Sequence, residues 1–293
     1  MRLSTMTSLF RDRRGCSEHY SYSESIRRCH DAGFSVLDMS FCALTRRQTP
    51  LHLDNWEEQI DQIRNLAENL GCEFSQSHPP YIPSPYARFS TQEDEDFFYQ
   101  MELRSIRMSA MLGVKWAVLH PVTDPVADIS DIDAHIRYNF QKFGDVLQLA
   151  DKENVGIAFE NMFDLPAQPR RFGVSATELS ALQDAARSNK VGICWDTGHA
   201  NKTYSDQIPA IMSLGDRIKA LHIDDNYGKD DLHMLPFEGF IPWEKVMHAF
   251  YVSHCDADLT LETVTNRCMP DELADWTAKY SYEVGRHLLS LYR

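Results

Sequence analysis

The sequence predicts an α/β protein: one closed barrel of eight parallel strands, each followed by a helix. Three observations lead to this fold class. Eight short apolar or β-branched segments alternate with eight segments of helical periodicity. The chain has 293 residues, close to the roughly 250 residues of a typical (β/α)8 barrel. Six of the apolar segments run into a histidine or an acid, and parallel strands bring such ends to one face.

The strand predictions rest on short runs of apolar and β-branched residues that stop at turn residues. They cover residues 2–7, 35–41, 73–77, 115–120, 156–160, 191–196, 218–223 and 258–262. Because strands and helices alternate strictly, the connections are expected to be crossovers between parallel strands.

The clearest helix is predicted over residues 54–70. Asp54 is expected to cap it, and Gly71 to end it. Apolar residues at helical spacing mark one buried face of this segment. The other helices are predicted at residues 24–32, 93–112, 133–153, 176–187, 206–214, 243–251 and 272–289.

The barrel prediction treats residues 1–293 as a single TIM-barrel domain. An open doubly wound sheet is the alternative, but its site would lie at one switch point instead of along six strand ends. No internal repeat, low-complexity tract or linker divides the chain. Residues 78–85, 162–173 and 224–240 are expected to form long loops on the functional face.

Charge and composition narrow the function classes. The chain carries 29 Lys and Arg against 43 Asp and Glu, a formal net charge of −14. This balance disfavours a nucleic-acid protein, because such proteins must neutralise phosphates. Hydrophobic residues make up 43% of the chain, enough for a core, and the mean hydropathy is −0.41.

Seven scattered cysteines form no CxxC pair, which favours reduced thiols. The first residues lack the apolar segment of a signal peptide, and no run approaches the roughly 20 apolar residues of a membrane span. We therefore expect a cytoplasmic location.

Four strand-end residues form the predicted metal site: Glu160 in IAFEN, Asp196 in CWDTGHA, His222 in ALHIDD and Glu262 in LTLET. A single such residue is often a hydrogen-bonded polar side chain. Three clustered carboxylates, however, repel one another and require a cation. The mixed oxygen and nitrogen set suits a divalent metal, Mn²⁺ most of all, with Mg²⁺, Co²⁺ or Zn²⁺ as further options.

This set also predicts the chemistry. A cation that chelates a carbonyl and the neighbouring hydroxyl makes the adjacent C–H more acidic. Glu160 and Glu262 are then candidate catalytic acid/base residues, one removing a proton and the other returning it.

Further polar residues follow the same strands. His199 is a candidate ligand or substrate donor, or it orients Asp196 from behind. Asp231 and His233 are candidate additional metal ligands, or they hold their loop by hydrogen bonds. His78 and His120 are candidate substrate-binding residues, with an ordinary polar role as the alternative.

Other catalytic motifs are missing. The sequence has no GxSxG elbow, no phosphate loop of the GxxxxGK[ST] type and no GxGxxG after the first strand. Four basic residues in plausible loops are candidates to hold a phosphate, although their spacing is not diagnostic: Arg170, Arg171, Lys202 and Lys229.

The segments IAFEN, CWDTGHAN, ALHIDDNYGKDDLHMLPFEGFIPW and LTLET resemble the xylose isomerase-like TIM barrels. That superfamily contains sugar isomerases and epimerases, dehydratases and endonuclease IV. The resemblance implies that Glu160, Asp196, His222 and Glu262 bind metal, with Glu160 and Glu262 as acid/base residues. The epimerases carry a substrate-binding arginine after the equivalent of His222, whereas this loop offers only Lys229.

The resulting expectation is a metal-dependent sugar isomerase or epimerase with a small carbohydrate substrate, no nucleic-acid or membrane partner, and possible homo-oligomers. A lyase that loses a proton and then a β-substituent is the first alternative. An endonuclease IV-like hydrolase with three metals is the second, since its nine ligands resemble His78, His120, Glu160, Asp196, His199, His222, Asp231, His233 and Glu262. A binding protein without catalysis is disfavoured by the paired glutamates.

Overall fold

The computed structural model describes residues 1–11, 20–46, 49–82, 89–264 and 269–293. Its strands are β1 (Leu3–Met6), β2 (Val36–Ser40), β3 (Glu73–His78), β4 (Trp116–Leu119), β5 (Gly156–Glu160), β6 (Val191–Asp196), β7 (Ile218–Ile223) and β8 (Leu259–Leu261). Each neighbouring pair is parallel, and β8 pairs with β1, so the sheet closes. The predicted (β/α)8 TIM barrel is confirmed.

The helices surround this barrel. They are α1 (Ser8–Arg11), α2 (Tyr22–Ala32), α3 (Trp56–Leu70), α4 (Gln92–Met111), α5 (Ile132–Lys152), α6 (Ala176–Ala186), α7 (Thr197–Thr203), α8 (Ile208–Leu214), α9 (Trp243–Val252) and α10 (Asp271–Ser290). Neither α1 nor α7 was predicted, because both are short and directly follow a strand. None of the described helices combines the length and apolar character that crossing a membrane requires.

Helix α3 shows one wrong prediction and one correct one. It begins at Trp56 after Asn55, whose side chain makes no capping hydrogen bond, so Asp54 is not the cap. Gly71 ends the helix as predicted. Its φ of 70° is the left-handed conformation that glycine adopts without a Cβ clash, and its N–H donates to Ala67 and Glu68.

Two layers of apolar side chains fill the molecule. The larger layer lies between the strands and the helices and includes Leu37, Ile157, Phe159 and Ile193. The smaller one lies inside the barrel, where Val118, Ala158, Cys194 and Ala220 pack together against Trp116. Gly156 leaves room for that indole, since a Cβ there would lie 2.4 Å from it.

Strand alternation then positions the site. Successive side chains of a strand point to opposite faces, so the residue two positions after an inward-facing residue also faces inward. Two positions after Ala158, Cys194 and Ala220 come Glu160, Asp196 and His222. Along β5, β6 and β7, the side chains that face the barrel interior therefore change from apolar to ionisable between one inward-facing position and the next.

Candidate metal centre at the carboxyl ends of the strands

The four predicted ligands lie together. Glu160 ends β5, Asp196 ends β6, His222 lies near the end of β7, and Glu262 directly follows β8. One ligating atom from each residue lies within 4.8 Å of the ligating atoms of the other three. Glu160, Asp196 and His222 are almost completely buried.

The imidazole of His222 joins the two glutamates. Its Nδ1 lies 3.0 Å from Glu160 Oε1 and 2.9 Å from Glu262 Oε2. Its Nε2 faces the other way, 3.7 Å from Asp38 Oδ2. Asp38 is held in turn by Gln76, whose amide donates to it over 2.7 Å. Asp38 was not among the predicted site residues, although a carboxylate inside the apolar strand VLDMS is a usable signal.

The pKa shifts and burial of these four residues favour a bound cation. Burial, reinforced by Asp224, holds the pKa of Asp196 well above its usual range. Burial acts in the same direction on Glu160, but His222 and His120 outweigh it and hold the pKa of Glu160 well below its usual range. Asp196 Oδ2 is buried and has no hydrogen-bond partner among the described residues. Buried acids crowded in this way are stabilised by positive charge, and the oxygen and nitrogen donors present suit a divalent metal.

His199 lies at the start of α7 and is fixed by its neighbours. Asp196 caps this helix by accepting from the His199 backbone N–H over 2.6 Å. The ring Nδ1 lies 2.8 Å from the carbonyl oxygen of Asn161, which leaves Nε2 directed at Asp231 Oδ2, 3.5 Å away. The side chain of Asn161 also exchanges hydrogen bonds with the Asp196 backbone. His199 thus links the four-residue group to a second one.

The second group consists of Asp224, Asp231 and His233, whose ligating atoms also lie within 4.8 Å of one another. His233 Nε2 lies 3.3 Å from Asp231 Oδ2, and His233 Nδ1 lies 3.0 Å from the carbonyl oxygen of Glu262. Asp224 approaches closely because Gly198 has no side chain: a Cβ there would lie 2.3 Å from Asp224 Oδ2.

Asp224 is another residue that sequence reasoning missed, because it stands beside Asp225 in HIDD. The two acids have different roles. Asp224 faces the site and keeps one buried oxygen without a hydrogen bond. Asp225 accepts from the Trp243 indole over 2.8 Å and from the backbone of Asn226 and Ile241, which fixes the loop between β7 and α9.

His78 and His120 complete the cluster on the other side. Their Nε2 atoms are 3.2 Å apart, and His120 Nε2 lies 2.9 Å from Glu160 Oε2. The ring of Tyr81 lies against that of His120 at a tilt of 35°, with ring centres 4.5 Å apart. His78, Glu160 and His222 also form a possible three-ligand group, which shares two members with the first.

All nine predicted site residues other than Lys229 lie together, and they are the members of the endonuclease IV-like set named above. Lys229 differs. It is exposed on the β7–α9 loop, and no contact that the structure describes joins it to the cluster. Its role in substrate binding stays a prediction.

The closed parallel barrel and its polar carboxyl face define an enzyme-like TIM barrel with residues that could hold a metal. Residues 26–282 match the family described as xylose isomerase-like TIM barrel. The chain belongs to this family.

The chain is also similar to individual proteins and structures. Uncharacterized protein y4fM of Sinorhizobium fredii is 30% identical over 170 residues, which is 57% of this chain and 53% of that protein, so the match spans about half of the relative. The structure of L-ribulose 3-epimerase has a TM-score of 0.74 at 15% identity, covering 100% of this chain and 95% of the other. That of 3-keto-D-glucoside 4-epimerase from E. coli has a TM-score of 0.70 at 13% identity, covering 98% and 99%. At such identities the likeness establishes the fold.

Proposed function

We propose that this protein is a divalent-metal-dependent epimerase or isomerase of a sugar or sugar derivative. The observation that carries the proposal is the contact of two glutamates, Glu160 and Glu262, with one nitrogen of His222. Two such groups beside one substrate position can remove a proton on one side and return it on the other. The named activities of the two epimerases with similar folds support the same class.

The residues that would hold the cation are Glu160, Asp196, His222 and Glu262, and Mn²⁺ is the metal we expect. The cation would polarise a carbonyl and its neighbouring hydroxyl and so acidify the C–H of the hydroxyl-bearing carbon. Contacts within the protein position these ligands: Asn161 and the start of α7 hold Asp196, and Asp38 faces the far side of His222.

The two glutamates are suited to carry the proton. Burial works to raise the pKa of Glu262, but His222 and His233 lower it to about 2, so this carboxylate is ionised and able to accept a proton. Glu160 belongs to β5 and Glu262 follows β8, so they reach His222 from different strands. A proton taken by one carboxylate and returned by the other, from different sides of the carbon, would invert that carbon.

Other side chains around the cluster would bind and orient the sugar. His78, His120 and His199 offer hydrogen-bonding nitrogens. The rings of Tyr81 and Phe163 lie against His120 and His199, with centres 4.5 and 4.7 Å apart. Aromatic faces pack well on the C–H surface of sugars and exclude water from the reacting carbon.

The test combines metal analysis with proton exchange. Protein purified without chelator should contain about one Mn, Co or Mg per chain and should exchange a substrate C–H with D₂O for some member of a panel of ketoses and keto-sugars. Glu262→Gln should lower turnover by about 10²- to 10⁴-fold while substrate affinity changes little, because the amide keeps the size of the side chain but cannot accept the proton. Metal content is measured on the variant as well, since Glu262 is a candidate ligand.

Glu244→Gln is the matched control, because Glu244 is an exposed glutamate in the first turn of α9. It should leave exchange unchanged. Unchanged turnover in the Glu262 variant would remove that residue from the acid/base role. Product analysis separates the predicted lyase alternative, because a lyase releases a β-substituent instead of returning the proton.

A second candidate, phosphodiester hydrolysis with three metals, is supported by the three neighbouring ligand groups, two of which share Glu160 and His222. The net charge of −14 speaks against a DNA substrate. Two or three Zn per chain together with cleavage of abasic-site DNA would favour this candidate. Fully metallated protein that leaves such DNA intact would eliminate it.

A further inference from the structure

Two cationic side chains meet on one aromatic ring beside the candidate metal centre. The ring belongs to Phe163, in the loop between β5 and α6. Lys202 Nζ lies 3.3 Å from its centre, and the guanidinium carbon of Arg171 lies 5.9 Å from it. The same ring contacts the imidazole of His199, with centres 4.7 Å apart. The ring of Phe163 therefore lies between these two cations and His199, which neighbours the residues that would hold the metal.

The loop that carries Phe163 and Arg171 is tied together at both ends. Met162 N–H donates to the carbonyl of Gly173 over 2.9 Å, and Arg171 N–H donates to Asp164 Oδ1 over the same distance. Phe172 N–H donates to Thr123 Oγ1, which joins this loop to the one after β4. Arg171 itself is only 6% exposed. Burying a charged guanidinium is costly, so a buried arginine on a backbone held by hydrogen bonds indicates a specifically formed feature of the fold.

Lys202 reaches the ring from α7. It follows His199 by three residues, so both side chains lie on the same face of that helix. Lys202 forms no ion pair with any residue that the structure describes, although the acids of the site are near. Burial lowers the pKa of Lys202, partly offset by Asp231 and Asp230. A partly buried cation that stacks on a ring instead of pairing with an acid is available to an incoming anion.

The neighbouring basic residues differ. Arg170 forms an ion pair with Glu178 at the start of α6, where Glu178 also completes the capping box of that helix. Lys229 is exposed on its loop. Of the four basic residues identified in the sequence, Arg171 and Lys202 are thus the two that the fold brings to Phe163 and His199.

We propose that Arg171 and Lys202, held on the ring of Phe163 beside His199, form a subsite for an anionic group of the substrate. The ligand would be a sugar that carries a phosphate ester or a carboxylate at some distance from the reacting carbon. Its anionic oxygens would accept hydrogen bonds from Lys202 Nζ and the Arg171 guanidinium, while the carbonyl end lies at the metal centre. This inference rests on the proposed function, because it assigns the substrate class of the same site.

The test uses manganese-loaded protein and titration calorimetry. Four probes are compared: inorganic phosphate, D-fructose, D-fructose 6-phosphate and D-fructuronate. Lys202→Gln should weaken phosphate binding by about ten-fold or more, because a charge-assisted hydrogen bond is lost. Lys202→Arg should keep most of the affinity. Wild-type protein should bind the phosphorylated or the carboxylated sugar about ten-fold more tightly than D-fructose, and Lys202→Gln should lose that preference.

Lys190→Gln is the matched control. It makes the same change in net charge, but Lys190 precedes β6 at the opposite end of the barrel and pairs with Asp151. It should behave as wild type. The two sugars identify the anion, since a phosphate subsite prefers one and a carboxylate subsite the other.

Equal phosphate affinity in wild type and Lys202→Gln overturns the subsite, even in a protein that exchanges substrate protons. Equal binding of D-fructose and both anionic sugars overturns it too. A phosphate difference in a protein without resident metal or proton exchange supports the anion subsite and refutes the proposed epimerase or isomerase function. The two proposals can therefore fail separately.

Discussion

The two ends of the barrel are built from the same strands but differ in what they hold. At the amino end, Trp116 fills the interior against small residues such as Ala158 and Ala220. The charges there lie outside: Arg2 pairs with Asp258 and Glu73 at the starts of three strands, and both Arg2 and Glu73 are substantially exposed. At the carboxyl end the charges lie inside, on the next inward-facing positions.

The separation between these two environments is small. Two residues along a strand span roughly 6.6 Å. Within that step Ala158 gives way to Glu160, and Cys194 gives way to Asp196. The apolar end needs no ligand to be complete. The polar end keeps buried carboxylate oxygens without hydrogen bonds, which is costly unless a cation or a proton is bound. The side chains at the amino end thus stabilise the barrel, whereas those at the carboxyl end are arranged for ligand binding and catalysis.

Glu102 extends the comparison of the two barrel ends, because it is a buried acid that belongs to neither end. It lies on α4, and burial raises its pKa to about 8, with Lys142 acting weakly in the opposite direction. The folded protein therefore holds this proton more tightly than the unfolded chain. The associated stability is fully present below pH 4.5 or so and is lost as the pH rises toward 8. Glu102→Gln should be more stable than wild type at pH 9, by on the order of 4 kcal/mol.

Denaturant unfolding from pH 4 to pH 9 measures this effect. Glu93→Gln serves as the control, since Glu93 is exposed in the first turn of the same helix. A stability difference between Glu102→Gln and wild type that stays constant with pH would contradict the assignment. It would also weaken the argument that isolated buried acids in this fold are neutralised by protons while the crowded acids of the site require a cation.

A substitution at Asp38 tests how the residues behind His222 contribute to metal binding at the carboxyl end. Asp38→Asn keeps the shape of the side chain but removes the charge that faces His222 Nε2. Groups behind a metal-binding histidine orient it and raise its basicity, so metal affinity should fall by about 10- to 100-fold. Competition with a chelator of known affinity measures the change.

Asp258→Asn is the matched variant at the amino end. It breaks the ion pair with Arg2, so it should lower stability slightly and leave metal affinity unchanged. An equal loss of metal affinity in both variants would mean that the loss reflects general charge and not the orientation of His222.

The sequence predicts much of this arrangement because strand ends are local signals. The runs that end in Glu160 and Asp196 have the length and composition of buried strands, and parallel topology brings their ends together. Asp38 and Asp224 were missed for a physical reason. Their roles depend on which side of a strand or loop faces inward, and this is set by register and by the close approach at Gly198.

The ends of the helices and the contacts of Arg171 and Lys202 with Phe163 were harder to predict from the sequence. Asp54 is a good capping residue by type, yet α3 starts two residues later. Helix α7 begins directly after Asp196, the last residue of β6, and the strand pattern therefore obscured it. Arg171 and Lys202 are 31 positions apart in sequence, and only the folded loop after β5 brings both to Phe163. Long-range contacts of this kind leave no periodic signal.

Gly156 gives the test of the apolar end with the smallest expected effect. A Cβ at this position would lie 2.4 Å from the Trp116 ring, and this large, partly buried ring packs against the small residues around it and so has little room to shift. Gly156→Ala should therefore lower the free energy of unfolding by about 1 to 2 kcal/mol, as expected for overpacking. Denaturant unfolding measures the loss.

Gly144→Ala is the matched control within α5, where a Cβ would meet nothing within 4 Å. There alanine should stabilise the protein by about 0.5 to 1 kcal/mol, because glycine is a poor helix former. Metal content should be unchanged in both variants if the amino end serves stability alone. Loss of metal from folded Gly156→Ala protein would show instead that packing around Trp116 sets the positions of Glu160 and Asp196, and the two ends would then not be independent.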